Sequence, residues 1–257
     1  MTIPFVKMHG AGNDFVLMDD RAARLAIDEP AFVRSLALRP DGIGAEGVLF
    51  VRPSEKADFA MRFFNPDGGE ADFCGNGARC IASFAHEIGA AKNRVMRLET
   101  RVGVLAAEIL DGNLVRVEMP KIKVVRENVI VVGVPHVVVP VDDLASCDVA
   151  REGRAIRFSE AFRPAGTNVD FVAWTTARSL SLRTYERGVE GESFACGSGA
   201  VASAVAGVLG GALTFPVSVT TSRGFVLTVD GVRTEGGVEK VTLLGPVKTV
   251  FHGEMEV

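Results

Sequence analysis

The sequence predicts an α/β chain of the α+β type, made of two similar, pseudo-symmetric domains, each a curled, mostly antiparallel sheet around a central helix. Three observations carry this. Short segments with period-two or wholly apolar patterns fill most of the chain, as strands do. Two longer apolar segments with helical character stand among them, one after Cys74 and one after Cys196. The residues leading into both are the same phrase written twice. Arg62, Phe64, Asn65, Gly69, Glu70, then Cys74, Gly75, Asn76, Gly77 and Ala78 are echoed by Arg183, Tyr185, Glu186, Gly191, Glu192, then Cys196, Gly197, Ser198, Gly199 and Ala200. Such a repeat, half a chain apart, suggests a duplicated architecture that brings two thiols to one central site.

In the first half, strands are expected at Ile3 to Met8, Phe15 to Met18, Ala57 to Phe64, Val95 to Glu99, Val104 to Leu110 and Leu114 to Met119, with a hairpin turn at Asp111, Gly112 and Asn113. Ala78, Ile81, Ala82, Ala85 and Ile88 form the apolar stripe of the first helix. Val129 to Val141 reads as strand split by Pro135. Strands follow at Asn168 to Trp174, Leu180 to Glu186, Val217 to Thr221, Phe225 to Asp230 with a turn at Asp230 and Gly231, and Val238 to Leu244. The second helix, Ala200 to Leu213, is apolar all round and reads as buried. The domain boundary is expected near Met119 and Pro120, giving domains 1–119 and 120–245, with a last strand after Gly245 and Pro246 (246–257) returning to the first domain.

Composition narrows the function. At 257 residues and 47% hydrophobic content the chain can bury two cores. A net charge of −4 with both signs scattered offers no basic stripe, so nucleic acid is not an expected partner. Phe194 to Ser222 is uncharged but broken by five glycines and Pro216, so no membrane span is expected. Four cysteines in a chain this long do not make a disulfide scaffold, and reduced thiols in the cytoplasm are expected. No metal-ligand spacing occurs among Cys and His.

A Cys at a helix N-terminus has its thiolate favoured by the helix dipole and by unpaired backbone N–H groups. Glycines after it let a ligand lie on those N–H groups, and the natural guest is a carboxylate. Two such turns facing one small molecule could take a proton from one face of the α-carbon and return another to the opposite face, one thiolate as base and one thiol as acid. Cys80, off the Cys74 face of its helix, and Cys147 read as packing residues, and His9 as a structural hydrogen-bonding residue.

Taken together, Met8 to Phe15, Asn65 through Arg79, Gly166 to Asn168, Tyr185 to Gly188 and Cys196 to Ala200 resemble the diaminopimelate epimerase family, in order and over nearly the full length. The resemblance implies an isomerase without pyridoxal phosphate, metal or other cofactor. Its substrate would be a small amino acid, LL- and meso-2,6-diaminopimelate interconverting in lysine and peptidoglycan-precursor biosynthesis, with the active site in the cleft between the domains. It implies Cys74 and Cys196 as the acid/base pair, with Gly75, Asn76, Gly197 and Ser198 on the reacting carboxylate. Asn13, Asn65, Asn168, Glu186 and Arg187 would recognise the amino groups and distal carboxylate, and His136 and Glu186 would adjust the thiols. A homodimer is the assembly carried with this reading.

Two departures concern the substrate. Val134 stands where the family usually has Asn, and Gly47 where it usually has Gln. Racemisation or epimerisation of a different amino acid by the same chemistry is therefore the alternative. Readings from other classes are a Cys/His hydrolase using Cys196 and His136, a noncatalytic amino-acid-binding module, and an NADP site in which Gly197, Gly199 and Ala202 imitate a dinucleotide fingerprint and Arg223 meets the 2′-phosphate.

Overall fold

A computed structural model describes residues 2–256. The chain divides into two compact units, one comprising the residues up to Val117 together with those from Gly245 onward, the other Glu118–Leu244.

The first unit begins with β1 (Thr2–Gly10) and β2 (Asn13–Asp19), joined through Ala11 and Gly12, which both have positive φ. Then come α1 (Pro30–Ala37), β3 (Gly47–Arg52), β4 (Phe59–Phe64), α2 (Gly75–Glu87), β5 (Val95–Thr100), β6 (Gly103–Ile109) and β7 (Leu114–Glu118). The strands lie side by side in chain order, with β2/β3 and β4/β5 parallel and the other neighbours antiparallel. Helix α2 packs on β1, β2, β3, β4 and β6. Val33, Leu36 and Ala37 of α1 join Val16, Met18, Val48 and Phe50 in a separate cluster. Strands β2 and β3 are therefore buried on both faces, which is why they read as continuous apolar runs.

The second unit runs β8 (Lys123–Arg126), β9 (Val129–Val132), β10 (Val134–Pro140), α3 (Val149–Arg157), β11 (Asn168–Thr176), β12 (Ser179–Glu186), β13 (Gly191–Ser193), α4 (Gly197–Leu209), β14 (Val217–Thr220), β15 (Val226–Thr234) and β16 (Gly237–Glu256). Helix α4 packs on β9, β10, β11, β12, β14 and β15. Strands β9, β10, β11, β12, β14, β15 and β16 repeat the pairing sequence of β1 to β7: antiparallel, parallel, antiparallel, parallel, antiparallel, antiparallel. The far half of β16, Val247 to Glu256, pairs with β1 inside the first unit. Each unit is thus a largely antiparallel sheet around one apolar helix, the fold class the sequence predicts.

Several elements differ from expectation. The break after β9 falls at Gly133, whose φ of 72° suits a residue without Cβ, and Pro135 sits inside β10. Strand β15 continues through Asp230 and Gly231 with only a register shift, and the chain turns at Glu235 and Gly236 instead. Strand β16 passes through Gly245 and Pro246 unbroken. Helix α4 stops at Leu209, and Leu213 folds back so that its N–H donates to the Gly207 carbonyl at 3.0 Å. Helices α1 and α3 and strands β3 and β8 had no counterpart in the sequence reading. Among the described residues no helix is long and apolar enough to cross a membrane.

Candidate active site

The two repeated motifs fold into the same local structure. Cys74 is the N-cap of α2, its Sγ accepting the Gly77 N–H at 3.4 Å, and Cys196 is the N-cap of α4, its Sγ accepting the Gly199 N–H at 3.3 Å. A sulfur thus stands where Ser, Thr or Asp usually caps, in the positive field of the first turn. The repeated Arg and Glu form an ion pair in both copies: Arg62 with Glu70, and Arg183 with Glu192 through two bonds of 2.8 and 2.7 Å. Phe64 pairs with Glu70 and Tyr185 with Glu192 across the tight return that delivers each Cys to its helix. The motif therefore encodes a strand, a return closed by a bidentate-capable pair, and a thiol-capped helix.

Around Cys74, the Asn13 side-chain oxygen accepts the Asn76 amide at 3.2 Å and lies 3.9 Å from the sulfur, while its nitrogen donates to Glu46. Asn76 is buried, and its Oδ1 accepts Arg79 Nη2 at 2.8 Å, while Arg79 Nη1 donates to the Gly75 carbonyl at 3.2 Å. Arg79 is 0% exposed, and burial brings its pKa down to about 10, which leaves it a cation at neutral pH. Asn65 is exposed in the return, where its main chain bonds Gly68 and Gly69, and it is not drawn into this cluster. His9 accepts the Gly12 N–H on Nδ1 at 3.3 Å and is held below the usual imidazole range by burial and then by Lys248, against the opposing charge of Asp14.

Around Cys196 the polar groups form a chain. The Asp170 carboxylate accepts the Thr184 hydroxyl at 2.7 Å and pairs with His136 Nδ1 at 2.7 Å. The Asn168 amide nitrogen donates to His136 Nε2 at 3.3 Å, so Nε2 is the acceptor and Nδ1 carries the proton toward Asp170. The Asn168 oxygen accepts the Arg187 N–H at 2.7 Å, and the Arg187 guanidinium reaches the Ala165 carbonyl at 3.3 Å. His136, Asp170 and Thr184 are all buried, and both nitrogens of His136 are engaged by groups other than sulfur. Cys196 itself is buried beside the Ser198 hydroxyl, 3.4 Å away. Burial first, then the charges of Glu186 and Asp170, push its thiol well above the usual range, against the Ser198 and Gly199 hydrogen bonds.

Asp170, Thr184 and Arg79 escaped the sequence reading. Asp170 was visible in principle as a charge inside the apolar run from Asn168 to Ala173, and Arg79 as a charge among the apolar residues of its helix. At Gly47 a Cβ would lie 2.6 Å from the Phe63 ring and 3.2 Å from the Phe64 carbonyl oxygen, so a larger residue there would require Phe63 to shift. Val134 is half-buried at the start of β10. The dinucleotide reading fails, because the three-residue β13 before the glycines is antiparallel to β12 and half-exposed, and Arg223 lies over the Phe194 ring. Among the described residues no group of three or more His, Cys, Asp or Glu side chains is arranged to hold a metal ion.

The diaminopimelate epimerase family model matches this chain at residues 5–125 and 128–250. Diaminopimelate epimerase of Aquifex aeolicus is 42% identical over 98% of this chain and 97% of its own length, and that of Archaeoglobus fulgidus 42% identical over 94% and 95%. The enzyme of Azoarcus sp. strain BH72 is 40% identical with both chains fully covered. Among solved structures, a PhzF-family phenazine biosynthesis protein from Bacillus anthracis superposes with a TM-score of 0.74 over 100% of both chains at 17% identity. A hydroxyproline epimerase from Agrobacterium vitis superposes with a TM-score of 0.72 over 99% of this chain and 92% of that one, also at 17% identity, and both likenesses concern the fold. With relatives this similar over their whole length, the chain belongs to the diaminopimelate epimerase family.

Proposed function

We propose that this isomerase interconverts LL- and meso-2,6-diaminopimelate by two-base proton transfer at the α-carbon. The observation that carries the mechanism is the thiol-capped helix built twice, each Cys receiving an amide N–H from three residues on. One sulfur, as thiolate, removes the α-proton, and the other, as thiol, delivers a proton to the opposite face; the roles exchange in the reverse direction. Helix N–H groups near Gly75, Asn76, Gly197 and Ser198 receive the reacting carboxylate and stabilise the enolate-like charge. Asn13, Asn65, Asn168, Glu186 and Arg187 recognise the amino groups and the distal carboxylate. His136 and Glu186 set the protonation around Cys196, Glu186 through its charge and His136 through its pairing with Asp170. Both proton-transfer groups are side chains of the chain itself, so the scheme uses no cofactor. The same reading carries lysine and peptidoglycan-precursor synthesis, a cytoplasmic setting and a homodimer.

Incubating the reduced protein with LL-diaminopimelate in D2O tests it: solvent deuterium enters the α-position as the meso isomer forms. A folded, reduced sample that leaves the α-hydrogen unexchanged overturns the proposal. A second reading, the same chemistry on another amino acid, is favoured by Val134 and Gly47, and a substrate panel in which an amino acid lacking the second carboxylate turns over fastest would establish it. A Cys/His hydrolase is not favoured, since His136 Nε2 is occupied by Asn168 and does not bond the sulfur of Cys196.

A further inference from the structure

The repeated topology gives each residue of one unit a counterpart in the other, and the charged groups beneath the two thiols do not match. In the first unit the parallel pair β2/β3 aligns Phe15 with Gly47, and β3/β4 aligns Leu49 with Phe63. In the second, β10/β11 aligns His136 with Asn168, and β11/β12 aligns Asp170 with Thr184. The helix caps give the same correspondence: a Cβ on Gly77 would lie 3.4 Å from the Leu49 methyls, and one on Gly199 would lie 2.4 Å from Asp170 Oδ1. The apolar trio Phe15, Leu49 and Phe63 thus stands where the second unit holds His136, Asp170 and Thr184. Five positions past each Cys the contrast reverses: Arg79 is buried in α2, and Val201 is buried in α4.

Arg79 is an unusual group to bury. Its two bonds go to the Gly75 carbonyl and the Asn76 amide oxygen, its Nε has no partner, and no carboxylate among the described residues pairs with it. A fully enclosed cation with only neutral partners is costly, and such groups concentrate where a charge is needed. The groups whose anions would favour it are Cys80 and Cys74, and burial keeps Cys80 protonated, which leaves Cys74. Asp170 is the opposite case, a carboxylate behind the first turn of α4.

We propose that Arg79 and Asp170 are positioning residues that make the two chemically alike thiols unequal, the Arg79 cation favouring the anion of Cys74 and the Asp170 carboxylate the protonated form of Cys196. This rests on the two-base reading above and deepens it by assigning the resting states, Cys74 the base-ready thiolate and Cys196 the proton-bearing thiol. Other charges around the two helices do not reverse it. Near Cys74, Cys80 is kept protonated by burial and His9 is kept neutral, Lys7 pairs with Asp14, Arg52 with Asp20, Arg62 with Glu70 and Glu108 with Arg116, and Glu46 holds Asn13. Around α4, Arg183 is spent on Glu192, and Arg233 bonds the Val208 and Leu209 carbonyls at the far end of the helix. Asp230 bonds the Gly231 N–H, and Glu186 adds to the acidic side.

Iodoacetamide labelling of the reduced full-length chain from about pH 6 to about pH 10, with the Cys74 and Cys196 peptides quantified by mass spectrometry, gives an ionisation midpoint for each thiol. The midpoint reports ionisation, whereas accessibility only scales the rate. The expected result is a Cys74 midpoint at least about one pH unit below that of Cys196. Arg79→Met should raise the Cys74 midpoint by about one unit and leave Cys196 in place, Arg79→Lys should keep both, and Asp170→Asn should lower the Cys196 midpoint. Coincident or inverted midpoints in the wild type overturn the proposal, as does a folded Arg79→Met variant whose Cys74 midpoint, or a folded Asp170→Asn variant whose Cys196 midpoint, does not move. If a variant fails to fold by circular dichroism, the wild-type midpoints still decide. Equal midpoints with intact deuterium exchange would sink only the inequality of the thiols, whereas absent exchange would sink the epimerase reading itself.

Discussion

Gly77 and Gly199 occupy the same place in the two copies of the motif, three residues after the capping Cys, yet a methyl group meets different surroundings at each. At Gly77 it would find the Leu49 methyls at 3.4 Å, an ordinary contact, and Ala would add about 1 kcal/mol of helix propensity. At Gly199 it would find Asp170 Oδ1 at 2.4 Å and push that carboxylate off Thr184 and His136. Gly77→Ala should therefore change the urea midpoint of the protein little or raise it. Gly199→Ala should lower it, for a loss of stability of about 1–3 kcal/mol. Equal effects would mean that the Asp170 network is not rigid. At this scale the sequence showed the two thiols and their glycines because they are repeated. It hid Asp170 and Arg79 because each is a departure from the repeat, and a comparison that searches for echoes passes over differences.

At the scale of elements, what decides legibility is how much of a segment touches the core. Helices α2 and α4 are buried over most of their length, so their apolar residues announced them. Helix α3 buries only Val149 and Gly153 and carries four charged residues among its nine, and α1 has eight residues with three of them buried, so neither shows a full period. Strand β3 is a short apolar run buried on both faces, for which no alternation exists to be seen. The dock of α3 is nevertheless exact in its demands. A Cβ on Gly153 would lie 2.4 Å from Tyr185 Cβ, and Arg183, besides holding Glu192, donates to the Leu144 and Cys147 carbonyls just ahead of the helix, at 2.9 Å each. Gly153→Ala should lift α3 from β12 at a cost of about 1–3 kcal/mol. Hydrogen exchange should then quicken across Val149–Arg157 while the amides of α4 keep their protection. Unchanged protection in α3 would show that its seat has room for a methyl group.

For the whole molecule, the buried thiols set an alkaline limit on stability. Cys80 in α2 and Cys196 in α4 both lie in the interior, one in each unit, and burial is the largest cause pushing both above the usual thiol range. A thiol in the unfolded chain ionises near about pH 8.5. Below that pH both states hold the proton, and the stability these thiols contribute is fully present. Above it the unfolded chain releases the proton while the native state keeps it, so stability falls, by up to about 1.4 kcal/mol per pH unit for each thiol, until the pH reaches the raised native value. Urea unfolding should therefore be flat from neutrality to about pH 8.5 and weaken beyond it. Lys and Tyr also titrate in that range, so the comparison that isolates the thiol is Cys80→Ala, which should cost little at neutral pH and fall less steeply above about pH 9. Identical alkaline slopes in the two proteins would mean that Cys80 ionises in the native state, and that Arg79, adjacent in the chain, stabilises its anion as well as that of Cys74. Because each unit carries one such thiol, the loss should appear in both units even if they unfold separately, and Cys80→Ala should relieve it only in the first.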